Sequence, residues 1–519
     1  MRFTAAAAAL FVAALAHDAA AQCDDKQLFK ITPSPWNVNG LSSAYDGDVA
    51  VIGQPGGVVE VFEVVGGSLT GSWTLTGDGN VFSSHFGTAV AISGDRIVVS
   101  APFEKVAGNS DVGAVYVFER VGNAWVKRPK LFPPTNAAQQ AYGAALDLDG
   151  DRICMSRRSA TESVVDVRDF DGVNWPILAT LNAPGTDLDD GFGSHLALDG
   201  DRVIAASREP SFGGIEGAVR VFEPRDGTWQ ETAKLIPGGA ISAYLGGAID
   251  LHGDRIIASG SATPLFGAAV PTVFVFDRFG SFWVQTAMVT SVDGQFGFAV
   301  ALGDDMFCAT SPTSVASGGA GAASIFRLES GQWRERMRLL ANDPQVCRNL
   351  GENASLSGDR VLLSARGSLD APNGSPVGAA YIMSTVPNPA PEYGTACPGS
   401  GGFLPTLALK QTFDGCFAAG NGVSFDVAHA LGGSTCLLLL GLSTAAIPVA
   451  GGCTLLVTPE PANQAFPLFG SGAGNGAVSF SATIPSDFPS VSVFLQAFVI
   501  DPGAFAGYCA TNGLRLTVK

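Results

Sequence analysis

Between residues 26 and 386 apolar side chains fall in short runs with a period of two, and Gly, Asn or Asp stands between the runs. That pattern predicts half-buried β-strands joined by tight turns. No stretch keeps a long 3.6-residue period, so no long amphipathic helix is expected. One motif punctuates the strands. "SGDRIVVSAP" begins at Ser93, "DGDRICMS" at Asp149, "DGDRVIAAS" at Asp199, "HGDRIIASG" at His252 and "SGDRVLLSA" at Ser357.

Aligned on the motif, the chain has seven copies: Gly47-Asp48, Gly94-Asp95, Gly150-Asp151, Gly200-Asp201, Gly253-Asp254, Asp304-Asp305 and Gly358-Asp359. They recur about every 50 residues, the period of propellers and solenoids. Shortly before each pair stands an aromatic-Gly or its equivalent: Phe86-Gly87, Tyr142-Gly143, Phe192-Gly193, Leu245-Gly246, Phe296-Gly297 and Leu350-Gly351, with Asn39-Gly40 in the first copy. After the pair come an apolar strand, a loop of variable length and a third strand such as "GAVYVFE" from Gly113. A fourth strand is expected to open on Trp73, Trp125, Trp175, Trp229, Trp283 or Trp333. Each copy therefore predicts a four-stranded antiparallel sheet, with the Gly-Asp pair as the turn between its first two strands. Glycine tolerates the positive φ of such a turn, and the following Arg is expected to lie along the surface.

A lone sheet this apolar cannot cover both of its faces, whereas radial stacking into a closed ring does so and leaves only short edges. The expected fold is all-β: a seven-bladed β-propeller of four-stranded antiparallel blades over residues 26–386, followed by a C-terminal β-sandwich. There are six tryptophan strands for seven copies. The last copy ends at "GAAYIMST", Gly378 to Thr385, and "KQLFKI", Lys26 to Ile31, resembles the fourth-strand segments "KRPKLF" and "TAKLIP". The N-terminal strand is expected to complete the last blade.

These elements together resemble the FG-GAP repeat family, the blades of integrin α-subunit propellers and their bacterial exported relatives. Its "GAP" element survives in part as "GQP" at Gly53, "SAP" at Ser100 and "TSP" at Thr310. The resemblance implies a propeller and, in many members, Ca²⁺ held between the first two strands by oxygen ligands spaced D-x-[DN]-x-[DN]-G. Here that loop has shrunk. "DLDGD" offers Asp147, Asp149 and Asp151 but runs at once into Arg152 and a strand, and "GTDLDDGFG" clusters Asp187, Asp189 and Asp190. Both are weak calcium candidates, and a solvated turn is the simpler reading of each.

After a proline-rich linker at 387–392, charge becomes sparse, and short runs such as "VSFDVAHAL" and "VSVFLQAFVI" predict the β-sandwich over 393–519. "YGTACPGSGG" and "LQAFVIDPGAFAGYCATNGLRLTV" are similar to a C-terminal module of exported planctomycete-type proteins. Residues 1–21 have the form of a secretory signal, with one Arg, an apolar run and small residues. Export permits disulfides. One or two are expected among Cys397, Cys416, Cys436, Cys453 and Cys509, with Cys397–Cys416 the nearest pair in sequence. Cys154 and Cys308 occupy equivalent second-strand positions and are expected to be small buried residues of separate blades. Strand directions set Cys23 and Cys347 toward opposite faces and disfavour their pairing. The uncharged run Thr435 to Val457 contains Gly-Gly, Pro448 and two cysteines. It fits two buried strands and a turn better than a membrane span.

Composition narrows the functions. Net charge is −17, the wrong sign for neutralising phosphates, so no nucleic-acid partner is expected. Scarce histidines (His85, His195, His252 and His429 after the signal) and the absence of G-x-S-x-G, H-E-x-x-H or Cys-x-x-Cys nominate no catalytic residue, and no cofactor is assigned. The tryptophans, at a repeated strand position, are expected to pack between blades rather than to form a sugar platform. The expectation is a secreted or cell-surface monomer, not a membrane-spanning one, whose variable loops (Phe103 to Asp111, and Thr263 onward) recognise an extracellular protein or glycan. Two alternatives are a polysaccharide hydrolase or lyase with carboxylates at the channel mouth, and a structural cell-envelope component.

Overall fold

The computed structural model describes residues 27–32, 42–55, 57–65, 68–79, 81–158, 163–183, 190–211, 214–238, 245–262, 268–314, 319–342, 349–366, 378–385, 392–409, 416–417, 422–458, 464–483 and 491–518. The expected signal segment, linker residues 387–391, Cys23, Cys347, Asp187 and Asp189 lie outside them. The chain divides into one compact unit over Lys26–Thr385 and a second that holds the described residues from 392 onward.

The first unit is all-β and consists of repeated four-stranded antiparallel sheets that resemble propeller blades. Seven such sheets occur among its described residues. Sheets 1 to 6 begin with Ser42–Asp46, Val90–Ser93, Leu146–Asp149, Leu196–Asp199, Ile249–His252 and Val300–Leu302, and each adds its next three strands in chain order. Sheet 7 begins with Leu350–Ser357, continues through Arg360–Ala365 and Ala379–Ser384, and takes its fourth strand from Gln27–Ile31. Each first strand lies beside the first strand of the next sheet, and that of sheet 7 lies beside that of sheet 1.

Alternation gives every sheet two apolar faces, so the core is divided. Between sheets 1 and 2, Val51, Val61 and Phe86 pack against Ile97 and Tyr116. Equivalent cores fill the gaps between sheets 2 and 3, 3 and 4, 4 and 5, 5 and 6, and 6 and 7. A seventh core joins Ile31, Leu362 and Ile382 of sheet 7 to Tyr45, Ala50 and Ile52 of sheet 1. Cys154 and Cys308 are free, fully buried and in different cores. Burial pushes the Cys308 thiol up to about 12.

The Gly-Asp pairs form two-residue hairpin turns, as in Ser93↔Arg96 and Asp149↔Arg152. Their glycines have φ of 54° to 57° while the following Asp does not enter the left-handed region, the pattern of a type II′ turn. In the sixth copy Asp304 replaces the glycine without adopting positive φ, and strand pairing stops at Leu302↔Phe307.

Two expectations about the fourth strands need correction. Trp73 sits near the end of Ser68–Leu75, opposite Val61, and Leu69 occupies the site that tryptophan fills elsewhere. Trp175 precedes its strand, Ile177–Leu181, and is itself buried.

In the second unit, Tyr508–Val518 and Val491–Ile500 lead a sheet that also takes in Thr435–Gly441, and a three-stranded sheet pairs Thr406–Leu409, Gly422–Gly432 and Gly472–Thr483. The two share one apolar core, in which Leu407, Phe425 and Val427 meet Leu438, Leu495 and Val499. The run Thr435 to Val457 forms three strands rather than two, and the middle one, Thr444–Val449, is largely exposed. Cys397 is bonded to Cys453, not to Cys416. Sequence proximity misled because the fold carries Cys453 on a hairpin back to Cys397. No helix among the described residues is long and apolar enough to cross a membrane.

Candidate functional site

The first unit has two ends with different chemistry. At the end bearing the Gly-Asp turns, the turns of successive sheets are bonded to one another. Gly94 N donates to Asp46 Oδ2 (2.7 Å), Gly150 N to Ser93 Oγ (3.0 Å), Gly200 N to Asp149 Oδ2 (2.7 Å) and Gly47 N to Ser357 Oγ (3.0 Å). His252 Nε2 lies 2.9 Å from Asp304 Oδ1.

The motif's arginines reach forward along this end to the next turn. Arg152 donates to Gly200 O (2.8 Å) and pairs with Asp201, while its other face holds Asp169 of its own sheet. Arg96 treats Gly150 and Asp151 in the same way, and Arg202 treats Gly253 and Asp254 so. Each guanidinium also covers a tryptophan of the next sheet: Arg96 over Trp175 (5.6 Å), Arg152 over Trp229 (5.3 Å), Arg202 over Trp283 (5.2 Å) and Arg255 over Trp333 (5.1 Å). Such stacking contributes ~0.5–1 kcal/mol per pair at half-exposed sites. These rings face cations rather than a common groove.

The calcium candidates fall into this architecture. Asp147 Oδ1 accepts Leu148 N and its Oδ2 accepts Leu198 N of sheet 4, both at 2.8 Å. Asp149 accepts Gly200 N, and Asp151 holds Arg96. Asp190 stands just before Phe192-Gly193. The DLDGD carboxylates thus point to three different partners. Among the described residues no group of three or more His, Cys, Asp or Glu side chains is close enough to hold a metal ion.

Sequence reasoning missed Asp250, the equivalent of Asp147 two sheets on. Its oxygens accept Leu251 N (2.8 Å) and Leu302 N of sheet 6 (2.7 Å). Ser355 Oγ takes Tyr45 N of sheet 1 in the same manner (3.0 Å). The signal was present: an acid between two apolar residues of the first strand, as in Leu146-Asp147-Leu148 and Ile249-Asp250-Leu251. Both carboxyls lie deep within the unit with part of their surface open to water. Burial pushes Asp147 up to about 7 and Asp250 up to about 6, against the backbone donors that lower them.

The consequence for stability follows from linkage. Above pH ~4 the unfolded carboxyls are ionised, while the folded ones hold their protons to higher pH. These groups therefore make stability fall as pH rises from ~4 toward 6 for Asp250 and 7 for Asp147, by at most ~1.4 kcal/mol per unit for each. Urea titrations from pH 4 to 8 are expected to show this limb, and the D147N/D250N variant is expected to flatten it. An unchanged slope in the variant would count against the assignment.

The opposite end is where the aromatic-Gly elements and the loops between second and third strands lie. It opens into a cavity of about 690 Å³ where the first strands converge. Every one of the seven sheets contributes a segment to its lining. The residues just after the aromatic-Gly pair form its mouth: Thr88, Ala144, Ser194, Gly247, Phe298 and Glu352, backed by Ser42, Ala89, Ala145, His195, Ala248, Ala299 and Asn353. The backing position is Ala in four sheets and His195 or Asn353 in two others. Its walls are held by a repeated bond in which the N–H of Ala89, Ala145, Ala248 or Ala299 donates to Ser100, Ser156, Ser259 or Thr310 at 2.8–2.9 Å. Burial raises the Glu352 carboxyl, and Arg366 opposes the shift. His85 lies outside the cavity, edge-on to Phe103 at 4.8 Å.

No curated protein matches the chain. Several solved structures show a distant similarity to the chain. They include a computationally designed protein, Ika8, at 13% identity over 69% of this chain and 99% of that one (TM-score 0.40). A fungal alcohol oxidase of the AA5 family, in complex with copper, is 11% identical over 94% and 98% (0.42), and the Dos1 propeller is 11% identical over 66% and 78% (0.39). At these identities and scores they bear on neither activity nor ligand. Residues 74–118, which end the first sheet and run through three strands of the second, match the FG-GAP repeat model. The chain carries an FG-GAP repeat in blade-like four-stranded sheets.

Proposed function

We propose that residues 26–386 form a closed seven-bladed β-propeller, that a proline-rich linker at 387–392 leads to a C-terminal β-sandwich, and that the exported protein is a binding or adhesion-type scaffold. Its recognition surface is the end of the propeller that carries the aromatic-Gly elements, and its partner is an extracellular protein or glycan.

One observation carries this reading: the contrast between the two ends. The Gly-Asp turns are short, alike, and committed to bonds with the next sheet. Apolar groups are exposed at both ends, Phe82 and Phe103 at the aromatic-Gly end and Phe279 and Phe282 at the Gly-Asp end. Among the described residues, only the aromatic-Gly end carries the loops that vary between copies and a cavity lined by all seven sheets. The hollow of about 710 Å³ at the Gly-Asp end lies between sheets 4 and 5 alone. A rigid ring with one uniform and one variable end is how a scaffold presents recognition loops. The hydrolase alternative asks for paired carboxylates facing one cavity; among the lining residues of this one, Glu352 is the single acid.

The test uses full-length protein on a glycan array and against purified surface proteins. Binding is expected to fall at least tenfold when Phe82 and Phe103 are replaced by Ser. Binding that survives there and is lost on substituting Asp151, Asp201 and Asp254 at the opposite end would overturn the assignment.

A further inference from the structure

The cavity where the seven first strands meet has a composition that narrows its ligand. Its volume, about 690 Å³, lies within the ~300–1,000 Å³ of small-molecule sites. The floor is apolar (Val90, Leu196, Ile249 and Val300), and the mouth is polar, with neither Lys nor Arg among its described lining residues. Around that mouth stand hydroxyls, an imidazole, an amide and one carboxyl. Phe298 breaks the pattern. Where the other described sheets place Thr, Ala, Ser, Gly or Glu, it sets an aromatic ring with 47% of its surface exposed.

Two of the polar groups are not bonded into the wall, although Arg366 acts on one of them, Glu352, through its charge. Thr88 Oγ1 donates to His85 O and Ser42 Oγ to Gly87 O, so these hydroxyls are engaged in the wall. Glu352 and Asn353, adjacent on the first strand of sheet 7 and both half-buried, make no side-chain hydrogen bond to any described residue. Both line the open cavity, where a ligand's hydroxyls can replace the water that otherwise bonds them. Four sheets place Ala where Asn353 stands, so the fold does not require an amide there.

We infer that this cavity binds a neutral sugar residue, the terminal unit of an uncharged glycan, with Phe298 against the apolar face of the ring and Glu352 and Asn353 bonded to neighbouring hydroxyls. The inference rests on the binding-scaffold reading and names its ligand class. A hydroxyl both donates and accepts, which matches a carboxyl that accepts beside an amide that does both. An aromatic ring supplies a flat apolar surface for the C–H face of a pyranose. A cationic ligand would instead call for several acceptors with no donors among them. An anionic ligand would meet no Lys or Arg among the described lining residues.

Saturation-transfer NMR and calorimetry on the full-length protein, with glucose, galactose, mannose and N-acetylglucosamine and their neutral trisaccharides as probes, test the inference. At least one series is expected to bind, with affinity reduced tenfold or more in Phe298→Ala and in Asn353→Ala. Glu352→Gln, which keeps the size and an acceptor, is expected to lose less than Glu352→Ala. Both 298 and 353 line an open mouth, and unchanged thermal unfolding would show that the variants fold. Absence of transfer from every neutral sugar overturns the inference, as does binding indifferent to positions 298 and 353. A partner that binds the same end and is sensitive to Phe82 and Phe103 but not to Phe298 or Asn353 would remove the sugar site while leaving the scaffold reading intact.

Discussion

Ile31→Asp is expected to lower the stability of the first unit by about 4–6 kcal/mol, enough to leave much of it unfolded at 37 °C. The effect is large because one short strand does two jobs. Gln27–Ile31 supplies the outer strand of sheet 7, with Ile31 opposite Ala380, Lys30 opposite Tyr381 and Phe29 opposite Ile382. Ile31, 2% exposed, also enters the core that joins sheet 7 to sheet 1, beside Tyr45, Ile52 and Leu362. A carboxylate there has no partner, and removing the aliphatic side chain forfeits a further ~2 kcal/mol of burial. Loss of the strand exposes the edge of Ala379–Ser384, so the variant is also expected to aggregate. Ile31→Val, which deletes one methylene, should cost only about 1 kcal/mol. Urea unfolding of both variants checks the pair of values. An Ile31→Asp protein as stable as the parent would mean that the strand does not close the unit.

Arg168→Ala is expected to cost about 3–5 kcal/mol, as breaking a buried charged network does. Arg168 is 9% exposed, and its guanidinium is spent on neutral oxygens. Nε donates to Tyr142 OH (2.9 Å), Nη1 to Trp175 O (2.7 Å) and Nη2 to Phe132 O (2.6 Å). Those bonds tie the segment between sheets 2 and 3 to the interior of sheet 3. Truncation leaves three acceptors without that donor, each at a cost of ~1–3 kcal/mol where water cannot replace it. Tyr142→Phe removes a single acceptor and should cost about 1–2 kcal/mol. The tyrosine hydroxyl is already pushed up to about 12 by burial, so it is neutral throughout the accessible range. A double-mutant cycle between positions 142 and 168, read by chemical denaturation, is expected to give a coupling of about 1 kcal/mol. Strict additivity would show that the bond between Arg168 and Tyr142 contributes nothing.

Several features are legible in the residues themselves, because they are matters of local backbone chemistry. Period-two alternation requires strands, and a Gly-Asp pair between two apolar runs requires a tight turn with positive φ at the glycine. Repetition of both then gives a set of similar sheets. The count of tryptophan strands points to Lys26–Ile31 for the same reason, since a segment with a strand's pattern and no partner nearby must find one elsewhere. The calcium spacing at Asp147 to Asp151 is legible as a pattern too, but pattern alone does not say where carboxylates point.

The alternating chain by itself determined the four-stranded sheet and its turns, since these depend on residues close in sequence. Only the tertiary structure decided what each repeat does for its neighbour. The arginine after Gly-Asp serves the turn and the tryptophan of the following sheet, ~50 residues away. Asp147 and Asp250 bond backbone N–H groups of the next sheet, and Cys397 finds Cys453 rather than Cys416. The cavity belongs to no single repeat, because one segment from each of seven sheets must converge before Phe298, Glu352 and Asn353 share a wall. Such contacts depend on the angle between neighbouring sheets, a quantity that no local run of residues encodes.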